Sequence, residues 1–130
     1  MSSPASDWRN WVKKADEDRQ AIRLLQAGPN VPWSVVCFHA QQAAEKYLKT
    51  YLVSHGAEPE KIHSLDRLLV ECLRFDPQLA SLKDDCFALT DYAVDCRYPD
   101  IAIPDEERLA REAVAMADRI CAAIRSRLPG

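Results

Sequence analysis

Three places in this 130-residue chain gather side chains able to do chemistry. Asp18 stands three residues after Ala15 and four before Ile22. On a helix that spacing sets its carboxylate inside the stripe that faces a core. It is either buried, where an acid needs a partner, or hydrated at the stripe's edge. Gln42, Glu45, Lys46 and Lys49 follow at i, i+3, i+4 and i+7 and share one helical face. That face reads in two ways. It is a solvated surface with a favourable Glu45–Lys49 pair, worth a few tenths of a kcal/mol, or it is a platform of donors and acceptors for a polar ligand or partner. The third place is Tyr92-Ala93-Val94-Asp95-Cys96-Arg97-Tyr98-Pro99-Asp100, the densest polar and aromatic stretch. Arg97 there complements a helix C-terminus, worth under about 1 kcal/mol, with Tyr98, Pro99 and Asp100 as an ordinary turn. Alternatively, its fork of donors serves a phosphate or a buried carboxylate such as Asp18.

His39, His55 and His63 are too scattered for metal-ligand spacing, and His63, just before Ser64, is expected to support a loop. The phosphate-loop pattern G-x-x-x-x-G-K, the nucleophile elbow G-x-S-x-G and the zinc pattern H-E-x-x-H are absent. The five cysteines, Cys37, Cys72, Cys86, Cys96 and Cys121, are odd in number, widely spaced and without a C-x-x-C pair. They read as small reduced core residues rather than as a disulfide framework or a zinc site. No metal and no cofactor is expected.

The elements that must position these residues are helices. Apolar residues recur every three or four positions and the 3 glycines avoid segment interiors, so about five helices are expected, covering about three-quarters of the chain. The first runs from about Asp7 to Ala27, capped by Ser6 or Asp7, stopped by Gly28-Pro29-Asn30, and striped by Trp8, Trp11, Val12, Ala15, Ile22 and Leu25. The second runs from about Pro32 to Ser54 with Trp33, Val36, Ala40, Ala43, Tyr47, Leu48, Tyr51 and Leu52 on its apolar side. A short third, from about Leu65 to Arg74, takes Ser64 as its cap. The fourth carries Leu79, Leu82, Cys86, Leu89 and Ala93 and ends before Pro99. The last begins near Asp105 and reaches about Leu128, with acids at its start and Arg125 and Arg127 at its end. Short connections predict an up-and-down all-α bundle in a single domain over residues 1–130.

Composition narrows the classes further. An apolar share of 48% and a charged share of 28% describe a chain with enough core to fold unaided. Runs such as Val35-Val36-Cys37-Phe38 fall far short of the roughly 20 residues a membrane span requires, and Met1 to Asp7 lack the pattern of a secretory signal. A cytoplasmic location without membrane attachment is expected. A net charge of −3 argues against coating nucleic acid by bulk electrostatics but leaves room for a local basic pocket.

Two stretches resemble the HEPN family, small helical domains named for their occurrence in higher eukaryotes and prokaryotes and for a proposed nucleotide-binding role. The first is Cys37-Phe38-His39-Ala40-Gln41-Gln42-Ala43-Ala44-Glu45-Lys46-Tyr47-Leu48-Lys49, followed by His63-Ser64-Leu65 with Leu68-Leu69; the second is Arg97-Tyr98-Pro99-Asp100. The resemblance runs from about Trp8 to the last helix. It implies a bundle of four to five helices, usually a homodimer, commonly encoded with a minimal nucleotidyltransferase in toxin–antitoxin or similar two-component systems. With no room here for a transferase domain, such a partner is expected to be a separate protein. The site implied for a nucleotide or partner comprises Gln42, Glu45, Lys46, Lys49, Tyr92, Arg97, Tyr98 and Asp100, supported by Asp18 and His63.

Many HEPN proteins are metal-independent ribonucleases in which an arginine is followed, about four to six residues later, by a histidine that moves the 2′-OH proton while the arginine stabilises the phosphorane. No arginine of this chain has a histidine at that spacing; Arg97 is followed by Tyr98, Pro99, Asp100, Ile101, Ala102, Ile103 and Pro104. The Arg-Tyr-Pro-Asp branch therefore resembles a binding module. The alternative is a ribonuclease that uses Arg97 with His39 or His63 brought near it by folding or dimerisation. A third expectation is structural: a buried polar network that fixes helix register.

Overall fold

Each long helix begins where a side chain or a proline deals with the N–H groups that a first turn leaves unpaired. The computed structural model describes residues 7–97 and 105–129, with side chains described at all of these except 93–97. Helix α1 spans Trp8–Ala27, and Asp7 caps it by accepting from the Arg9 amide at 3.0 Å. Helix α2 spans Trp33–Ser54, with Pro32 just outside it rather than in its first turn; the Pro32 carbonyl accepts from Val35 and Val36. Gly56, at a φ of +78° that favours glycine, turns the chain away. Helix α3 spans Leu65–Cys72, shorter than the expected reach to Arg74, and Ser64 caps it through the Arg67 amide.

The next segment departs from the sequence reading. Leu79 and Leu82 were expected on the fourth α-helix, but Pro77–Leu82 forms a 3-10 helix capped by Asp76 and started by Pro77. A spacing of three fits three residues per turn as well as it fits an α-helix, so both leucines still reach the core. Helix α4 then spans Lys83–Arg97 and helix α5 spans Glu106–Arg125. Asp105 caps α5 by accepting from the Arg108 amide at 3.1 Å. Among the described residues there is no strand, and no helix is long and apolar enough to cross a membrane.

Side-chain pairs give the directions. Asp16 meets Tyr47 and Trp11 lies near Lys49, so α1 and α2 are antiparallel. Tyr92 meets Glu112 and Asp85 meets Arg119, so α4 and α5 are antiparallel. Arg111 lies over Trp33 and Arg125 meets Tyr47, which makes α2 and α5 parallel, as diagonal members of an up-and-down bundle are.

Helix α2 touches α1, α3, α4 and α5 and is the central element. Its buried positions lie on every side, from Val36 and Cys37 to Leu52 and Val53. Its alanines, Ala40, Ala43 and Ala44, and those of α5, Ala110, Ala113 and Ala117, are all buried. Short side chains of this kind let helix axes approach closely. Around them Tyr47, Leu48, Leu52, Leu65, Leu68, Leu89, Ile120 and Ile124 are fully buried. Each such leucine or isoleucine contributes roughly 1.5–3 kcal/mol relative to exposure. Cys37, Cys72, Cys86 and Cys121 form no disulfide and are buried among them. Burial pushes the Cys72, Cys86 and Cys121 thiols up to about 12, since a thiolate there would lose its hydration.

Candidate binding site on the central helix

The polar face of α2 does not lie open to water. Glu45 retains 4% and Lys49 7% of its surface, and Gln41 is buried beside them. The reading of these residues as a solvated face is corrected for Glu45 and Lys49. A helix in contact with four others has no fully wet side, so even its ionised residues are drawn inward.

Glu45 is the hub of one network. Its Oε2 accepts from Lys49 Nζ at 3.2 Å; its Oε1 accepts from Gln41 Nε2 at 3.3 Å and lies 3.0 Å from His63 Nδ1. Gln41 Nε2 also donates to the His63 carbonyl at 3.1 Å, and Gln41 Oε1 accepts from Gln42 Nε2 at 2.9 Å. One carboxylate thus ties α2 to the loop before α3, as the sequence reading expected of His63. Lys49 also lies 6.0 Å from the centre of the Trp11 ring on α1.

Asp18 is the hub of a second network and is itself buried. Lys46 Nζ donates to its Oδ2 at 2.6 Å, and His39 Nδ1 lies 2.8 Å from its Oδ1. Of the two readings offered for Asp18, burial with partners is the one observed, and α2 supplies the partners. Lys46 and His39 keep about a quarter of their side-chain surface exposed (27% and 26%). An ammonium has three donors and Asp18 engages one, while His39 keeps Nε2 for another group. A third network lies beside it: Tyr47 donates to Asp16 at 2.6 Å and accepts from Arg125 at 3.0 Å. Burial first, then the hydrogen bond to Asp16, raises the Tyr47 phenol above its ordinary value.

Gln42, Glu45, Lys49 and His63 therefore share one hydrogen-bonded cluster, while Lys46 reaches from α2 to Asp18 on α1. Tyr92 belongs elsewhere. Its hydroxyl donates to Glu112 on α5 at 2.9 Å, and Glu112 also accepts from Arg108 at 2.9 Å. The hydrogen bond to Glu112, ahead of burial, raises the Tyr92 phenol. The backbone of Arg97 closes α4, but its side chain, together with Tyr98 and Asp100, lies outside the described residues. Sequence reasoning missed Gln41 and the Asp16–Tyr47 pair, and it named His39 only as a possible partner of Arg97, not of Asp18. Its place on the polar face of α2 was legible, because it precedes Gln42, Lys46 and Lys49 on the same helical spacing. Among the described side chains no buried nitrogen or oxygen is left without a partner, and no group of three His, Cys, Asp or Glu residues is placed to hold a metal ion.

Residues 8–127, from the start of α1 past the end of α5, match the HEPN domain family model. The chain belongs to the HEPN family. The crystal structure of an archaeal HEPN homologue has the same fold, with a TM-score of 0.71 and 28% identity over 94% of this chain and 98% of that one. No curated protein sequence matches the chain. In this HEPN domain the resemblance carried by the Cys37–Lys49 stretch falls on the central helix, where family pattern, buried charge and core coincide.

Proposed function

We propose that this HEPN domain is a binding module that holds a nucleotide at the polar face of α2 and acts with a separately encoded minimal nucleotidyltransferase. The setting is a two-component system of the toxin–antitoxin kind, in which the domain works as a cytoplasmic homodimer. The observation that carries the reading is the pre-arranged polar face: Glu45 and Asp18 fix Lys49, Lys46, His39 and His63 before any ligand arrives. Donors held in place in this way bind without a further ordering cost. Arg97, Tyr98 and Asp100 are proposed as further contacts to ligand or partner. The test is equilibrium binding of nucleotides to the purified protein, with affinity purification from its source cell and mass spectrometry of what is recovered. Binding neither nucleotides nor a nucleotidyltransferase refutes the reading. Light scattering should give twice the 14.7 kDa chain mass for the dimer.

One observation favours a second reading. Asp18 holds Nδ1 of His39 at 2.8 Å and leaves Nε2 for proton transfer, an arrangement that orients a histidine as general base. A metal-independent ribonuclease would then use His39 with Arg97 in a non-standard site. Incubation of RNA with the protein in EDTA decides between the two. No cleavage, or cleavage unchanged by His39→Ala and Arg97→Ala, excludes the enzyme.

A further inference from the structure

Helix α3, the 3-10 segment and the start of α4 form a groove of about 440 Å³ lined by Leu69, Val70, Leu73, Ala80 and Phe87. Leu69 is buried and Leu73 half-buried, but Val70 and Phe87 are 64% and 61% exposed. One exposed apolar side chain is ordinary on a protein surface; two of this size beside one apolar groove make a patch that marks an interaction site. None of these residues belongs to the polar networks of α2. We propose that the groove docks a basic amphipathic helix of a partner protein, with the helix's apolar stripe seated on Val70 and Phe87 and its Lys or Arg residues facing Asp66, Asp84 and Asp91. The proposal goes beyond the nucleotide-binding reading and does not depend on it.

Charge selects the occupant. Asp66 and Asp84 line the groove with Lys83, and Asp91 stands one turn along α4 from Phe87. Asp85 is taken by Arg119 through two bonds of 2.8 Å, whereas among the described residues no cation pairs with Asp66, Asp84 or Asp91. Burial first, then the charge of Asp91, raises the Asp66 carboxyl above its ordinary value, and Lys83 offsets this only in part. Asp66 and Asp84 sit in first turns, where acids suit the helix dipole, but that accounts neither for Asp91 nor for the apolar surface between them. The groove therefore carries an excess of negative charge that a partner's cations would relieve. A second copy fits badly, because a two-fold contact brings a patch against itself and would set Asp66 and Asp84 against like charges. Shape selects a helix. The groove runs between α3 and α4, which pack together, and a third helix fits such a groove with anchors at i, i+3, i+4 and i+7. An extended peptide would have no strand to pair with among the described residues.

The test titrates the full chain with two synthetic peptides of about four helical turns, both with leucines at i, i+3, i+4 and i+7. One carries arginines on either side of the leucine stripe, and its twin carries glutamates there. Dissociation constants are measured at low and high salt, and amide NMR shifts map the contact. The arginine peptide is expected to bind with its largest shifts over residues 66–73 and 80–87, at least tenfold more tightly than its twin at low salt, and the gap should narrow as salt screens the charges. Phe87→Ser should weaken it by roughly 10- to 150-fold, the worth of one buried large apolar side chain, and Val70→Ser should act in the same direction. Asp84→Asn should weaken the arginine peptide and leave the twin unchanged or tighter. Val70, Phe87 and Asp84 are all exposed, so the melting temperature should hold in each variant. Four outcomes overturn the proposal: neither peptide binds at millimolar concentration, the glutamate twin binds as tightly, the shifts fall elsewhere and survive Phe87→Ser, or light scattering shows a dimer of the free chain that Phe87→Ser dissociates, which would give the groove to a second copy.

Discussion

Replacing Glu45 by methionine tests the energetics of the central helix most sharply. The side chains of Glu45 and Lys49 are 6% and 9% exposed, so neither charge can turn to water without moving a helix. Glu45→Met leaves the Lys49 ammonium buried, with the Trp11 ring 6.0 Å away in place of a carboxylate. Stranding one member of a buried pair costs about 3–5 kcal/mol. For a chain of this size that lowers the melting temperature by roughly 10–20 °C. Lys49→Met is expected to be milder, about 1–3 kcal/mol, because Glu45 keeps Gln41 at 3.3 Å and His63 at 3.0 Å. In the double variant no charge is stranded, and two methionines fill much the same volume, so stability should return to within about 1 kcal/mol of the original or exceed it. Urea unfolding followed by circular dichroism, with all four proteins in one cycle, measures each term. If Glu45→Met costs less than about 1 kcal/mol, or if the double variant is as unstable as the two single ones added together, the pair is not the buried, mutually dependent unit described above.

Two further outcomes follow from the same structure. Tyr47→Phe removes the hydroxyl shared by Asp16 and Arg125; because those two charges are partly solvated, the loss in urea unfolding should be about 1 kcal/mol rather than the 2–3 of a fully buried charged hydrogen bond. Cys37, Cys72, Cys86 and Cys121 should resist a disulfide reagent at pH 8 until urea unfolds the chain, since the thiolate is the reactive form and burial suppresses it. The thiols of Cys72, Cys86 and Cys121 are raised from an ordinary value of 9.0 to about 12 in the folded chain, so unfolded thiols ionise first as pH rises. Their contribution to stability is therefore complete below pH 9.0 and lost on the way to about 12. Thermal melts between pH 8 and pH 11 should show a steady fall; a flat profile contradicts this account.

Much of the architecture was legible in local chemistry. Asp7, Ser64 and Asp105 mark helix starts because their oxygens accept from amides two or three residues ahead, a relation contained within one turn. On α2 the expected stripe residues Val36, Ala40, Ala43, Tyr47, Leu48, Tyr51 and Leu52 are all buried, because their spacing keeps them on one side of the helix. The 3-10 segment at Pro77–Leu82 was not legible, because a leucine pair at a spacing of three satisfies either helix type and the backbone alone decides between them.

The amino-acid sequence by itself determined that the chain is helical, where α1, α3 and α5 start, and that it resembles the HEPN family; all of these depend on neighbours a few residues apart or on a motif carried by one helix. Only the tertiary structure decided what the polar residues of α2 do. Glu45 and Lys49 look solvated on an isolated helix and become buried because α1, α3, α4 and α5 surround α2. Asp18 looks like a misplaced acid until His39 and Lys46, separated from it by 21 and 28 residues, close on its two oxygens. Trp11 reads as core until the packing of α1 on α2 leaves part of its ring beside Lys14 and Lys46. Charge burial and pocket formation depend on how many elements meet at a point, and no periodicity within one element records that number.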